Sequence, residues 1–163
     1  MLPDLIVTSL ADAPKFLRQR DVRCIVSIGD PGEKKPRGFT QVPVRLRLEF
    51  GDLRDAHLGD GRVPPPEPDD VEQIVRFVDA IVGTRTLIHC QQGISRSTAA
   101  AFIVTAKLLG PGRELEALDH VVKLRPIALP NTRMVRFADA ILGRAGAMSR
   151  ALLERKLVIP GLD

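Results

Sequence analysis

Apolar positions along the chain fall into two kinds of run. Short stretches rich in β-branched residues, at Leu5 to Val7, Cys24 to Ile28, Val42 to Phe50 and Thr86 to His89, read as strands. Elsewhere the apolar period lengthens to that of a helix. Val71, Ile74, Val75, Val78, Ile81 and Val82 predict a helix over 69–82, with Asp69 or Asp70 as N-cap behind the proline-rich run Pro64 to Pro68. Further helices are expected at Ala11 to Arg20, Ser97 to Leu109, Glu114 to Leu124, Thr132 to Leu142 and Met148 to Lys156. Val42, Val44, Leu46, Leu48 and Phe50 alternate with Arg45, Arg47 and Glu49, which predicts a strand with one face toward solvent, whereas Leu87-Ile88 reads as buried at the centre of a sheet. The order is that of an α/β fold. Gly29 to Gly38 (GDPGEKKPRG) and Gly51 to Pro68 read as loops, and the second is long enough to suggest a functional one.

Composition narrows the partners. A chain of 163 residues with 44% hydrophobic content is expected to form one domain, 1–163, with a sizeable core. Tryptophan and tyrosine are absent and phenylalanine occurs six times, so the core must be aliphatic and the stacking platforms of base-binding modules are missing. The net charge of +4 is spread among 20 carboxylates rather than clustered, which argues against a nucleic-acid partner. No apolar run approaches the roughly 18 residues of a membrane span, and Asp4 lies where a basic leader would begin. A cytoplasmic protein without a membrane partner is expected. Its oligomeric state is left open.

Two cysteines, Cys24 and Cys90, are too few for a disulfide scaffold or a cysteine-rich zinc site, so neither metal nor cofactor is expected. Cys24 begins a strand and Cys90 ends one. In a parallel sheet this sets them at opposite edges, against a redox disulfide between them.

The chemistry concentrates in His89-Cys90-Gln91-Gln92-Gly93-Ile94-Ser95-Arg96-Ser97, between an apolar strand and an apolar helix. Backbone amides of the loop and the helix N-terminus converge there on an anion site, and such a field favours a thiolate. Arg96 can hold two phosphoryl oxygens bidentately, Gly93 lets the amides turn inward, and Ser97 offers the sulfur a hydroxyl. A shuffled chain would show His-Cys, five residues, then Arg and Ser or Thr on the order of three times in ten thousand.

HCQQGISRS resembles the phosphate-binding loop of the cysteine-dependent protein tyrosine phosphatase superfamily, in its dual-specificity branch. The resemblance extends to the strand TLIHC, the helix STAAAFIVTAKLL and the segment Arg125-Pro126-Ile127-Ala128-Leu129-Pro130-Asn131, similar to an element that braces the loop through its Asn. It implies a central four- or five-stranded, mostly parallel sheet flanked by helices. It also implies a metal-independent mechanism through a cysteinyl-phosphate, with Cys90 as nucleophile, Gln91 to Arg96 as phosphate loop, Ser97 easing departure of the sulfur, and His89 and Asn131 in support. The acid would come from Asp52, Asp55 or Asp60; Asp52 follows directly on LRLEF and ranks first, and Asp52 and Asp55 could divide the roles of acid and loop anchor. His57 and His120 are expected to be non-catalytic. Lys34, Lys35 and Arg37 would either line the mouth of the site or form a solvated loop.

The substrate expected is a phosphorylated protein, phosphotyrosine first and phosphoserine or phosphothreonine beside it, because the loop lacks the lysines of phosphoinositide-specific relatives. The alternatives are a small phosphomonoester such as a metabolite, lipid or nucleotide, or a phosphate-binding pseudophosphatase without turnover.

Overall fold

A computed structural model describes residues 1–55 and 59–161. Among these, strands β1 (Leu5–Ser9), β2 (Cys24–Gly29), β3 (Val44–Glu49) and β4 (Thr86–Cys90) form one sheet in the order β1-β4-β2-β3, every pair parallel. The expected four- or five-stranded sheet has four strands. The helices are α1 (Ala13–Gln19), α2 (Pro68–Ile81), α3 (Arg96–Leu109), α4 (Glu114–Leu124), α5 (Thr132–Ile141) and α6 (Ala147–Glu154).

The two-residue period of the strands divides the core. Leu5, Val7, Cys24, Val26, Ile28, Leu48, Ile88 and Cys90 face α2 to α6 in the larger hydrophobic cluster. Ile25 and Leu87 face the other way, joining Ala13, Val22, Phe39 and Val42 beneath α1. The inner strands β2 and β4 are buried along their whole length, as expected where helices cover both faces of a parallel sheet. α3 carries the densest burial, from Arg96 through Ala106.

Two local expectations change. The N-cap of α2 is Glu67 rather than Asp69 or Asp70, because Pro68 takes the first helical position, where its missing N–H is no loss. Asp70 then folds back to accept from the Glu67 N–H at 2.8 Å. Nor does Arg47 face solvent: its side chain is 12% exposed and lies under the turn that follows β2, which covers the end of this edge strand.

Both cysteines are free. Cys24 pairs in register with Thr86 at the start of β4, while Cys90 ends that strand, so the two thiols lie toward opposite ends of two adjacent inner strands. The Cys24 thiol donates to the Ala80 carbonyl of α2 at 3.1 Å, a core contact. Among the described residues no helix is long and apolar enough to cross a membrane.

Candidate active site

The carboxyl ends of the parallel strands converge on one cleft, where open α/β sheets generally hold their ligands. Asp52, Arg54, Cys90, Gln91, Gln92, Ile94, Ser95 and Arg96 line it, and its volume is about 340 Å³. β4 delivers Cys90 from below and α3 begins at Arg96, so the loop 91–95 has to reverse within five residues.

Gly93 makes that reversal possible. Its φ is +70°, and a Cβ there would lie 2.6 Å from the Thr8 carbonyl carbon and 2.8 Å from the Ser9 nitrogen. The loop therefore rests directly on the backbone of β1, a contact no side chain could enter.

The outer side of the loop is tied down carbonyl by carbonyl. The Gln91 carbonyl accepts from Leu10 N–H at 3.1 Å. Arg125 donates through Nη2 to Gln92 O at 3.1 Å and through Nε to Gly93 O at 2.9 Å. Leu129 N–H reaches Ile94 O at 2.8 Å and Asn131 N–H reaches Ser95 O at 3.1 Å. In a trans peptide the following N–H points opposite to the carbonyl, so five carbonyls held outward turn the amides of 92 to 96 toward the space above Cys90. That array of donors, with the N-terminus of α3 behind it, is a cradle for a tetrahedral oxyanion.

Arg96 completes the cradle from within. It is 5% exposed, and its Nη1 donates to Asp30 Oδ1 at 2.8 Å and Phe50 O at 2.7 Å. Its Nε is buried without a hydrogen-bond partner. An orphaned buried donor on a charged group is costly, and here the phosphoryl group that the cradle fits would relieve it. The Cys90 thiol, 3% exposed, donates to Ser97 Oγ at 3.1 Å.

His89 faces away from the cleft, on the α1 side of the sheet. Its Nε2 lies 2.6 Å from Ser27 Oγ and its Nδ1 lies 3.1 Å from the Cys90 carbonyl oxygen. Arg47 Nη1 donates to the same Ser27 Oγ at 2.8 Å. Because a carbonyl can only accept, the ring proton sits on Nδ1 and donates to Cys90 O, so Nε2 accepts the Ser27 hydroxyl hydrogen while the Ser27 oxygen accepts from Arg47. Burial drives the imidazole down to about 4 against the pull of that carbonyl, and the Arg47 and Arg96 charges add to the fall. His89 is thus a neutral strut.

Of the three acid candidates, Asp52 lines the cleft. Its Oδ1 accepts from Ser95 Oγ at 2.6 Å and Asn131 Nδ2 at 2.9 Å. Both donors meet the same oxygen, Oδ1. Asn131 Nδ2 also donates to Leu53 O at 3.2 Å, so this residue braces the segment of Asp52 and Leu53 as well as the 91–95 loop. Asp55 is exposed and outside the cleft lining, and Asp60 pairs with Arg62 at 3.2 Å. His57 lies outside the described residues. His120 Nε2 sits 3.3 Å from Pro3 O, remote from the cleft lining.

None of Lys34, Lys35 and Arg37 is among the residues that line the cleft. Lys35 Nζ lies 5.4 Å over the Phe39 ring, and Arg37 lines a separate cavity with Leu17 and Val42. Four residues of the site, Ser27, Asp30, Arg47 and Arg54, carry no local signature. Among the described residues no group of three or more His, Cys, Asp or Glu side chains could hold a metal ion.

No protein-family model matches the chain. Protein phosphatase Slingshot homolog 3 of rat is 48% identical over 54 residues, which are 33% of this chain and 8% of that protein. Dual specificity protein phosphatase 15 of rat is 29% identical over 135 residues, 80% of this chain and 51% of that protein. The chain thus spans at most about half the length of these curated relatives. The crystal structure of DUSP15 superposes with a TM-score of 0.63 at 25% identity, over 96% of this chain and 91% of that one.

Proposed function

The chain belongs to the dual-specificity-like branch of the cysteine-dependent protein tyrosine phosphatase superfamily, and on that premise we propose that residues 1–163 act as one catalytic unit that hydrolyses phosphate monoesters through a cysteinyl-phosphate. The observation that carries this reading is the cradle itself: five outward carbonyls, inward amides and the unpartnered Arg96 Nε, all around one buried thiol.

In the first step the Cys90 thiolate attacks phosphorus in line with the leaving oxygen. The S–P bond forms as the P–O bond breaks, and Asp52 Oδ2 gives its proton to the departing oxygen. Arg96 Nε and the loop amides hold the equatorial oxygens, whose charge they meet in fixed positions. In the second step water attacks phosphorus, the Asp52 carboxylate takes the water's proton, and the sulfur leaves as thiolate. Ser97 Oγ, already within 3.1 Å, turns its hydroxyl hydrogen to that sulfur.

Protein phosphotyrosine, with phosphoserine and phosphothreonine beside it, is the proposed substrate class. Among the described residues the cleft is lined by Gln91, Gln92 and Ile94 rather than lysines, and none of them contributes an aromatic ring to its lining. Nothing in that lining demands an aryl leaving group, which favours breadth.

The test is turnover of p-nitrophenyl phosphate in the presence of EDTA by the wild-type protein and by Cys90→Ser and Arg96→Ala. Both variants are expected to lose activity by several orders of magnitude. Full activity in Cys90→Ser overturns the mechanism, and loss of wild-type activity to EDTA points to a metallophosphatase. Parallel assays on phosphopeptides, inositol phosphates and nucleotides test the substrate class, which fails if phosphotyrosine peptides are the poorest.

A further inference from the structure

One row of polar residues crosses the sheet on its α1 face. Thr8 of β1 is in register with His89 of β4, His89 with Ser27 of β2, and Ser27 with Arg47 of β3. In a parallel sheet residues in register share a face, so the row is contiguous. It ends at Arg47, whose guanidinium has two terminal nitrogens that go to different places.

Nη1 donates to Ser27 Oγ at 2.8 Å, and so holds the hydroxyl that donates to His89 Nε2 and braces the ring whose Nδ1 holds the Cys90 carbonyl. Nη2 donates to the Glu33 carbonyl at 2.7 Å. Glu33 in turn accepts from Asp30 N–H at 2.8 Å through Oε2, closing the turn whose Asp30 carboxylate grips Arg96 Nη1 at 2.8 Å. Gly29 leaves room for this meeting, because a Cβ there would lie 2.6 Å from Arg47 Nη2 and 2.6 Å from Glu33 Oε2. Glu49 Oε1, 3.5 Å from Nη2, balances the charge from the solvent side. The Nε of Arg47 is buried without a partner, so the fork's placement serves its two ends rather than its stem.

Resting on the phosphatase reading, we propose that Arg47 is a positioning residue for both halves of the reaction, one branch fixing the nucleophile and the other the phosphate-binding arginine. It touches neither substrate nor the reacting atoms. Removing it lets the Ser27 hydroxyl turn away from His89 Nε2, which loosens the ring that holds the Cys90 carbonyl. It also releases the turn that aims Asp30 at Arg96.

The branches can be cut separately. Ser27→Ala severs the nucleophile branch and Asp30→Asn the arginine branch, while Arg47→Met severs both and Arg47→Lys, with a single ammonium, keeps one. The readouts are the acid limb of the kcat/KM profile for p-nitrophenyl phosphate, tungstate affinity by calorimetry, and the thermal midpoint. Ser27→Ala is expected to move the acid limb and leave tungstate affinity within about twofold; Asp30→Asn is expected to weaken tungstate about tenfold, the worth of one charged contact, and leave the limb in place. Arg47→Met is expected to do both.

A lower thermal midpoint in Arg47→Met with limb and tungstate affinity as in the wild type overturns the proposal and leaves Arg47 a merely structural residue. If Arg47→Met does not fold, Arg47→Lys decides: at least one of the two readouts must move, and neither moving overturns the proposal. If the wild-type protein turns over no phosphomonoester, the phosphatase reading fails by itself. Tungstate affinity then still tests the arginine branch, and equal affinity in wild type, Asp30→Asn and the Arg47 variant overturns it.

Discussion

Asn131 Nδ2 donates to Asp52 Oδ1 over 2.9 Å, while Asn131 Oδ1 accepts from the Met134 N–H at 3.0 Å. One amide thus caps α5 and holds the candidate acid. Asn131→Asp separates these jobs, because a carboxylate still accepts from Met134 but faces Asp52 with an acceptor. The expected outcome is a thermal midpoint near that of the wild type with kcat reduced about tenfold or more, whereas Asn131→Ala should also lose about 1 kcal/mol of stability in denaturant titration. Unchanged kcat in Asn131→Asp would show that the contact does not orient the acid.

Asp52→Asn keeps the shape of the Asp52 side chain and removes its proton. A positioned acid is worth roughly 10² to 10⁴ in rate, so kcat on alkyl and aryl phosphates with poor leaving groups should fall by about that much. The alkaline limb of the kcat profile, where a general acid gives up its proton, should flatten. If the limb survives in Asp52→Asn and vanishes in Asp55→Asn, the acid is Asp55.

Gly93→Ala forces a Cβ against the Thr8 carbonyl and requires φ of +70° from an L-residue. Backbone cannot yield as a side chain would. Left-handed strain alone costs roughly 1–3 kcal/mol, and the overlap adds to it. Tungstate binding should be lost even in variants that remain folded, because the loop must lift off β1.

His89 makes stability depend on pH. The unfolded chain protonates this ring as pH falls through about 6.5, the folded chain near 4, because burial opposes the charge. Folding carries no penalty from this group above about 6.5. It loses stability between there and about 4, by roughly 3 kcal/mol in total, and no more below. Urea titrations at pH 7 and pH 4.5 should show wild type losing more stability than His89→Asn. An equal loss in both would place the acid sensitivity elsewhere.

What could be read from the chain before its structure follows how local the chemistry is. His89 to Ser97 carries the proposed nucleophile, the cradle and the proposed phosphate-binding arginine in one contiguous stretch, so residue types and spacing pointed to them together. The strands and helices were equally plain, because their periods are local. Asp30, Ser27 and Arg47 were invisible for the opposite reason: each acquires its partner only through the order β1-β4-β2-β3, which sets β2 beside both β3 and β4. Arg47 in particular obeys the alternation that predicts an exposed residue. What hides it is the 30–33 turn, folded back over the end of an edge strand.

The same dispersal bears on when, during folding, the site comes into being. Arg96 meets Asp30 across 66 residues, Asp52 meets Ser95 across 43 and Asn131 across 79. Each of these closures carries the entropy of a long loop and yields its contact only once the sheet is ordered. Helical signal should therefore return early on dilution from urea, and the capacity to capture tungstate should come last, after β1 has docked to support Gly93.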